Sequence, residues 1–275
     1  MKILVTGGQG FIGKAFIKRY RHMFDIVAPT QAQMDLADAR SIDAVFKKNK
    51  FDAVLHLFGA LEISADKASE NMVAFKNIQY MSIVHGVKKL IVIGEGVEFD
   101  SGRPIVDASE SMLGKSVPTD GYALSRYMIS NLAAKDKITT VLRVFDVYGH
   151  GGKGTIDKMI AAAAHGKNIT LNQDRTVSAV YIEDLEKVIV AVLKGHIKRG
   201  DYNVVSGDKA SYLDIAKSLK RRAKRDECAI DIKVKNPAPA LEYTATNEKL
   251  LKALPTFKPL SIKDGVKKCY HDIKA

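Results

Sequence analysis

"MKILVTGGQGFIGKAF", residues Met1–Phe16, decides the fold. A short apolar run, Ile3–Val5, leads into Gly7, Gly10 and Gly13 and then into a stretch with helical character. A strand that turns sharply into a helix while its backbone approaches a pyrophosphate needs glycines there, because side chains would collide. The helix N-terminus then offers free N–H groups and a partial positive charge to the phosphates. A glycine triplet alone marks only a tight turn; between a strand and a helix it predicts a dinucleotide cradle.

Outward from this turn, strand-length apolar runs alternate with longer segments of helical period. "FDIVAP", "FDAVLHLF", "KKLIVIG" and "KITTVLRVFDVYG" read as strands. "ADARSIDAVFKKN", "DKASENMVAFKNIQYMSIVHG" and "TDGYALSRYMISNLAAKD" read as helices. This order predicts an α/β fold, a doubly wound parallel sheet of Rossmann type with helices on both faces. The pattern changes after about residue 147, where glycines cluster in "YGHGGKG" and shorter, mixed elements follow. We therefore expect a dinucleotide-binding domain over residues 1–146, with segments returning near 178–197, and a smaller, mainly substrate-binding lobe over 147–275.

Composition narrows the function classes. The hydrophobic fraction of 46% suits an ordinary globular core. No apolar stretch reaches the roughly 20 residues of a bilayer span, and Ile3–Val5 is too short for a signal-peptide core. Two cysteines make a disulfide framework improbable, so a cytoplasmic location is expected. The net charge of +12 does not by itself imply nucleic acid, because the lysines are spread along the chain. The one dense run, Lys217–Glu227, follows apolar residues at helical spacing and reads as a solvated helix face. Neither a nucleic-acid nor a membrane partner is expected; diffuse positive charge suits small polyanions such as dinucleotides and nucleotide-sugars. The seven histidines and two cysteines show no metal-ligand spacing, and no Ser-His-Asp order or nucleophile elbow is visible.

The second strand of such a fold usually ends in an acid that holds the adenosine ribose. Here Pro29, Thr30 and Gln31 stand there, with neither a carboxylate for a 2′-hydroxyl nor an arginine for a 2′-phosphate. NAD and NADP both remain open.

With these motifs in view the chain resembles the extended short-chain dehydrogenase/reductases, the NAD-dependent epimerase/dehydratase family. "TGGQGFIG" matches its cofactor turn, "QMDLAD" its Asp-Leu element, and "VLHLFG" the segment after its third strand. Asn71 and Asn77 match a family pair six apart. "LRVFDVYG", "VYIEDL" and "YNVVSG" fall where the family has Arg-Pro-x-Asn-x-Tyr-Gly, a Val-Asp-Asp segment and Tyr-Asn-x-x-x-Gly. Within the family, "IVIGEGVEFD" and "DGYALSRYMIS" resemble nucleotide-sugar reductases, the GDP-fucose synthase-like and dTDP-4-dehydrorhamnose reductase-like members. The resemblance implies a sheet of about seven strands, a small C-terminal substrate lobe, and NAD or NADP as cofactor. It implies a nucleotide-diphosphate sugar substrate changed at or near C4, and a homodimer through the long helices. It places Gly7, Gly10, Phe11, Ile12, Gly13, Asp35, Leu36, Leu57, Phe58, Gly59, Asn77, Tyr122 and Arg126 at the cofactor.

The catalytic positions depart from the family. Its Tyr-x-x-x-Lys becomes "YALSR", Tyr122 and Arg126, four apart and so on one helix face. Arginine keeps the positive charge that lowers a tyrosine pKa, but its planar fork does not reproduce an ammonium's contacts with ribose hydroxyls. The family's Ser or Thr falls at Glu95. An ionised carboxylate only accepts hydrogen bonds and would raise the Tyr122 pKa. Three roles stay open for Glu95: a protonated donor, a proton acceptor, or an ion-pair partner of Arg126. In the substrate lobe, the family's strand-end Asn falls at Asp146, and its arginine falls at Val177, with Arg175 two residues away. Asp146 and Arg175 are the expected substrate-binding residues. Two functions follow: an NAD(P)-dependent oxidoreductase or epimerase with Tyr122 as acid/base, or a dinucleotide-binding protein of the same fold with lost or altered catalysis, a sensor or partner subunit.

Overall fold

The structure is a computed structural model that describes residues 1–57, 65–238 and 240–274, with side chains for all of these but 65–67. Phe58 and Gly59 lie outside the described residues. In chain order the elements are β1 (Lys2–Thr6), α1 (Phe11–Tyr20), β2 (Asp25–Val27), α2 (Ala39–Lys48), β3 (Ala53–His56), α3 (Ala65–Val84), β4 (Lys89–Glu95), β5 (Ile105–Ala108), α4 (Gly121–Lys135), β6 (Thr139–Val144) and β7 (Val147–Tyr148). There follow α5 (Thr155–Ala164), β8 (Ile169–Gln173), β9 (Thr176–Val177), β10 (Val180–Tyr181), α6 (Ile182–Lys194), β11 (Asp201–Asn203), β12 (Ala210–Ser211), α7 (Tyr212–Arg225), β13 (Ile232–Asn236), β14 (Tyr243–Ala245), α8 (Glu248–Ala253) and α9 (Ile262–Lys274). A one-turn 3-10 helix, Gly96–Phe99, follows β4. No described helix is long and apolar enough to cross a membrane.

The chain divides into two compact units. The first comprises Met1–Gly102, Glu110–Arg143 and Val188–Tyr202. Its sheet has the strand order β11-β6-β4-β3-β1-β2, with parallel pairing from β2 through β4. The described residues thus give six strands rather than about seven. Ile3, Leu4 and Val5 of β1, Ala53, Val54 and Leu55 of β3, and Leu90, Ile91 and Val92 of β4 are all buried. Strands apolar on both faces demand helices on both sides. On one side Ile42 and Phe46 of α2, Phe75 and Ile78 of α3, and Ile129 of α4 form a continuous core with Leu4, Val54 and Leu90. Each such side chain contributes about 1.5–3 kcal/mol on burial. Helix α2 starts where the Asp38 carboxylate accepts from the Arg40 N–H and ends on Lys47 and Lys48, which suit the negative end of its dipole.

The turn after β1 is as tight as its glycines suggest. Gly7 adopts φ +68°, and the Gly10 N–H donates to the Gly7 carbonyl at 3.0 Å. A Cβ on Gly13 would stand 2.5 Å from the Gly7 oxygen and 2.7 Å from Gly8 Cα, both backbone atoms. Glycine at 13 is what lets α1 start this close to the strand.

A polar network runs through the interior of the same unit. Glu98 and Arg143 are both fully buried. Glu98 Oε2 accepts from Arg143 Nε at 2.8 Å and from the Ser130 hydroxyl at 2.6 Å; Oε1 accepts from the Glu95 N–H at 2.8 Å. Arg143 also faces Asp201 at 3.5 Å and lies over the Phe99 ring at 5.1 Å.

The second unit comprises Arg103–Ser109, Val144–Lys187 and Asn203–Ala275. It holds a four-stranded sheet, β12-β9-β14-β5, and the pairs β13-β8 and β10-β7. Helix α7 is capped by Ser211, whose hydroxyl accepts from the Asp214 N–H, and buries Ile215, Ala216, Leu219 and Ala223. Lys217, Lys220, Arg221, Lys224 and Arg225 of the dense basic run are on its exposed surface.

Two stability outcomes follow. Glu98→Ala removes the carboxylate that binds buried Arg143 at 2.8 Å, leaving the more distant, half-exposed Asp201 at 3.5 Å, and costs about 3–5 kcal/mol in urea unfolding. Gly13→Ala forces the turn apart and costs about 1–3 kcal/mol in the same measurement; a neutral result for either variant contradicts the corresponding packing.

Candidate active site

The strand order places β1 between β2 and β3, so the chain leaves β1 toward one side and returns on the other. Such a switch point opens a crevice beyond the C-terminal ends of the strands. A cavity of about 570 Å³ lies there, bounded by Gly7, Gly8, Pro29, Thr30, Asp35 and Leu36. Helix α1 points its N-terminus out of the same turn: Gly10 caps it without a side chain, and its first turn carries no acid. Phe11 and Ile12 form that first turn and are half-buried. Asn77 donates its side-chain amide to the carbonyls of Leu36 at 2.9 Å and Ala37 at 3.2 Å, so it acts on the cavity through the wall it holds. Leu57 follows β3, and its N–H donates to the Thr6 carbonyl at 3.2 Å. Beside it Thr6 Oγ1 meets His56 Nδ1 at 2.8 Å; burial, then the charge of Arg126, holds His56 down at about 3, so the ring is neutral.

Glu95 is the last residue of β4. Tyr122 and Arg126 stand one turn apart at the start of α4, which Asp120 caps by accepting from the Ala123 N–H. The Tyr122 hydroxyl donates to Glu95 Oε1 at 2.6 Å, and Arg126 Nη2 stands 3.4 Å from the same oxygen. That nitrogen also donates to the Ile93 carbonyl, while the buried Nε has no hydrogen-bond partner among the described residues. The three side chains are therefore one cluster. Tyr122 and Arg126 are buried; the Glu95 side chain keeps 25% exposure. Burial first, then the Glu95 carboxylate, push the Tyr122 hydroxyl above its ordinary range, and the Arg126 charge only partly offsets them. The arginine lowers this pKa and the carboxylate raises it, as their charges suggest in the sequence; burial, which the sequence does not show, joins the carboxylate and decides the direction.

Sequence reasoning missed Glu98, which fixes the backbone of Glu95. Its signal was the Glu-x-x-Glu spacing of a capping box, in which the third residue after the cap reaches back to the cap's N–H.

In the second unit, the Tyr212 hydroxyl donates to Asp146 Oδ2 at 3.1 Å, and burial pushes the Asp146 carboxyl up to about 6. Arg175 donates its Nε to the Leu241 carbonyl at 2.8 Å and lies over the Tyr243 ring at 4.7 Å. Arg175 and Tyr212, with Lys158, Thr155 and Asn172, line a cavity of about 300 Å³. Among the described residues, no group of histidine, cysteine or carboxylate side chains is arranged to hold a metal ion.

Comparison with known proteins agrees with this architecture. The GDP-6-deoxy-D-talose 4-dehydrogenase of Aggregatibacter actinomycetemcomitans is 28% identical over 221 residues, 75% of either chain. The GDP-mannoheptose C4 reductase of Campylobacter jejuni, solved with NADP bound, superposes with a TM-score of 0.81 at 17% identity, over 100% of this chain and 98% of that one. The UDP-glucose 4-epimerase of Thermus thermophilus, solved in complex with NAD, gives a TM-score of 0.81 at 18% identity, over 100% and 99%. These two likenesses establish a shared fold. The model of the NAD dependent epimerase/dehydratase family matches residues 3–205, and this chain belongs to that family.

Proposed function

We propose that this protein is an NAD- or NADP-dependent oxidoreductase or epimerase of a nucleotide-diphosphate sugar, acting at or near C4, with Tyr122 as its acid/base. The observation that carries this reading is the 2.6 Å contact between the Tyr122 hydroxyl and Glu95. The hydroxyl and carboxylate in contact at the C-terminal end of β4 support a role in moving a proton.

The residues present fit a dinucleotide. The unblocked N-terminus of α1, the close approach that Gly13 permits, and the cavity between Gly7 and Asp35 suit a pyrophosphate and an adenosine. Gly7, Gly10, Phe11, Ile12 and Gly13 would hold the phosphates; Asp35 and Leu36 would meet the adenine, with Asn77 bracing their loop. Leu57, Phe58 and Gly59 would border the nicotinamide side, and Tyr122 and Arg126 its ribose. When bound, the dinucleotide supplies hydride exchange at its nicotinamide ring. The wall at Pro29–Gln31 offers no charge with which to discriminate NAD from NADP. For the sugar nucleotide, Asp146 and Arg175 are the binding residues. Lys158 and Arg175 beside the cavity of about 300 Å³ suit the anionic diphosphate. Both cysteines are free thiols, which suits the cytoplasm.

We also propose a homodimer through α3 and α4. Val73, Tyr80, Ile83 and Val84 of α3 and Met128 of α4 are exposed. Their helical spacing puts the α3 residues on a shared face, more apolar than a solvated helix needs.

Two experiments test these readings. A panel of nucleotide-sugars, including 4-keto forms, is assayed by cofactor absorbance, with thermal melts run alongside. Wild type should turn over at least one member, and Tyr122→Phe should lower kcat/KM by about a hundred- to ten-thousand-fold. Either dinucleotide should raise the melting temperature by mass action, and Gly10→Val should abolish that rise. Turnover of no member together with a clear rise leaves the binding-protein reading as the better one. For the dimer, light scattering should give twice the chain mass for wild type and the chain mass for Tyr80→Glu; a monomeric wild type overturns it.

A further inference from the structure

We infer that Glu95 is the terminal proton acceptor of this site and Tyr122 a relay whose hydroxyl does not have to ionise. This rests on the oxidoreductase reading above and specifies how its proton moves.

The geometry argues for it from both ends. The Tyr122 hydroxyl is already committed as a donor to Glu95 Oε1 at 2.6 Å, so its lone pairs are what it offers to a sugar hydroxyl. The buried ring makes a free tyrosinate costly, and the adjacent carboxylate makes it costlier. A hydroxyl in that setting can accept a proton only as it gives up its own. Glu95 is placed to take it, and with 25% of its side chain exposed it can return it to solvent. Tyr122 has no such access of its own, being buried.

The surrounding charges support the assignment. Arg126 of α4 faces the receiving oxygen at 3.4 Å. Glu98, on the turn after β4, is engaged by Arg143 and Ser130, and its other oxygen holds the Glu95 N–H. Arg143 of β6 is turned to Glu98 and Asp201. His56 of β3 is neutral and carries no competing charge.

In the oxidising direction the sugar's O–H bond breaks and its proton bonds to the Tyr122 oxygen. The Tyr122 proton crosses to Glu95 Oε1, giving a carboxylic acid. With an oxidised nicotinamide dinucleotide bound, the C–H electron pair would leave to it as hydride while the C=O bond forms. Reduction runs the same transfers backward. Tyr122 is neutral before and after.

The sign of the pH dependence follows. Oxidation by the relay needs no ionisation of Tyr122, so its rate does not follow the tyrosine's titration. A tyrosinate base would instead give a rate that climbs with pH.

Glu95→Gln tests this, since the amide oxygen still accepts from Tyr122 but takes no proton. Wild-type kcat/KM for oxidation should be flat through neutral pH. Glu95→Gln should fall by about a hundredfold or more and climb about tenfold per pH unit toward the tyrosine range. A readout independent of turnover uses 13C-glutamate-labelled, cofactor-free protein, with the Glu95 carboxyl assigned by its loss in Glu95→Gln. Tyr122→Phe removes one donor to the carboxylate and should move the Glu95 carboxyl resonance at neutral pH. Melting curves confirm that both variants fold. A Glu95→Gln profile as flat and as fast as wild type overturns the relay while leaving the oxidoreductase reading intact, and so does an unmoved Glu95 carboxyl resonance in Tyr122→Phe. A wild type inactive on every substrate overturns that reading and the relay with it.

Discussion

A carboxylate with no exposure to water has to find donors inside the protein, and Glu98 finds three. They are the Glu95 N–H, the Ser130 hydroxyl and Arg143 Nε, and they come from the end of β4, the middle of α4 and β6. A buried ion pair is weak evidence for stability, because apolar side chains of the same volume often serve as well. What apolar side chains could not do is hold the Glu95 N–H. One carboxylate thus ties the strand that presents Glu95 to the helix that presents Tyr122 and Arg126. The site is set from the interior of the first unit rather than by a surface loop, as a short donor–acceptor contact requires if it is to persist.

The glycine turn works by the opposite means, an absence of side chains. Gly13 has no room for a Cβ against the Gly7 oxygen, and Gly7 sits at positive φ. Together they start α1 close against the end of β1 with its N–H groups uncovered. Shape at one place and buried charge at the other fix two patches beyond the same ends of the sheet.

These two constraints differ in how far the sequence reveals them. The glycine spacing is local, so the strand, turn and helix were readable directly, as were the buried strands Ala53–His56 and Lys89–Glu95 with their continuous apolar runs. The second unit was less legible, because β9, β10 and β12 are two residues long and carry no period to read. At the site, the spacing of Tyr122 and Arg126 gave a shared helix face. It could not rank the three roles open to Glu95, which depend on distances between an end of β4 and a face of α4. Glu98 escaped altogether. Its spacing from Glu95 marks a cap, but its partner Arg143 lies 45 residues away and its burial cannot be read from "GVEFD".

The altered pair makes physical sense as a unit. A serine at position 95 would leave the buried Arg126 guanidinium without the carboxylate it faces at 3.4 Å, and a charged group stripped of its counter-charge in the interior is strongly unfavourable. A lysine at 126 would bring a single ammonium on a flexible stem to a place where one planar group now serves both the Ile93 carbonyl and the Glu95 carboxylate. Each exchange from the family pattern thus creates the need for the other. Together they turn a site with one net positive charge into one near neutrality. The consequence falls on Tyr122. Where a lone cation would draw its proton off, the buried ring and the carboxylate in contact with it hold the hydroxyl in its protonated form, so the tyrosine keeps its place in the fold in a changed electrostatic setting.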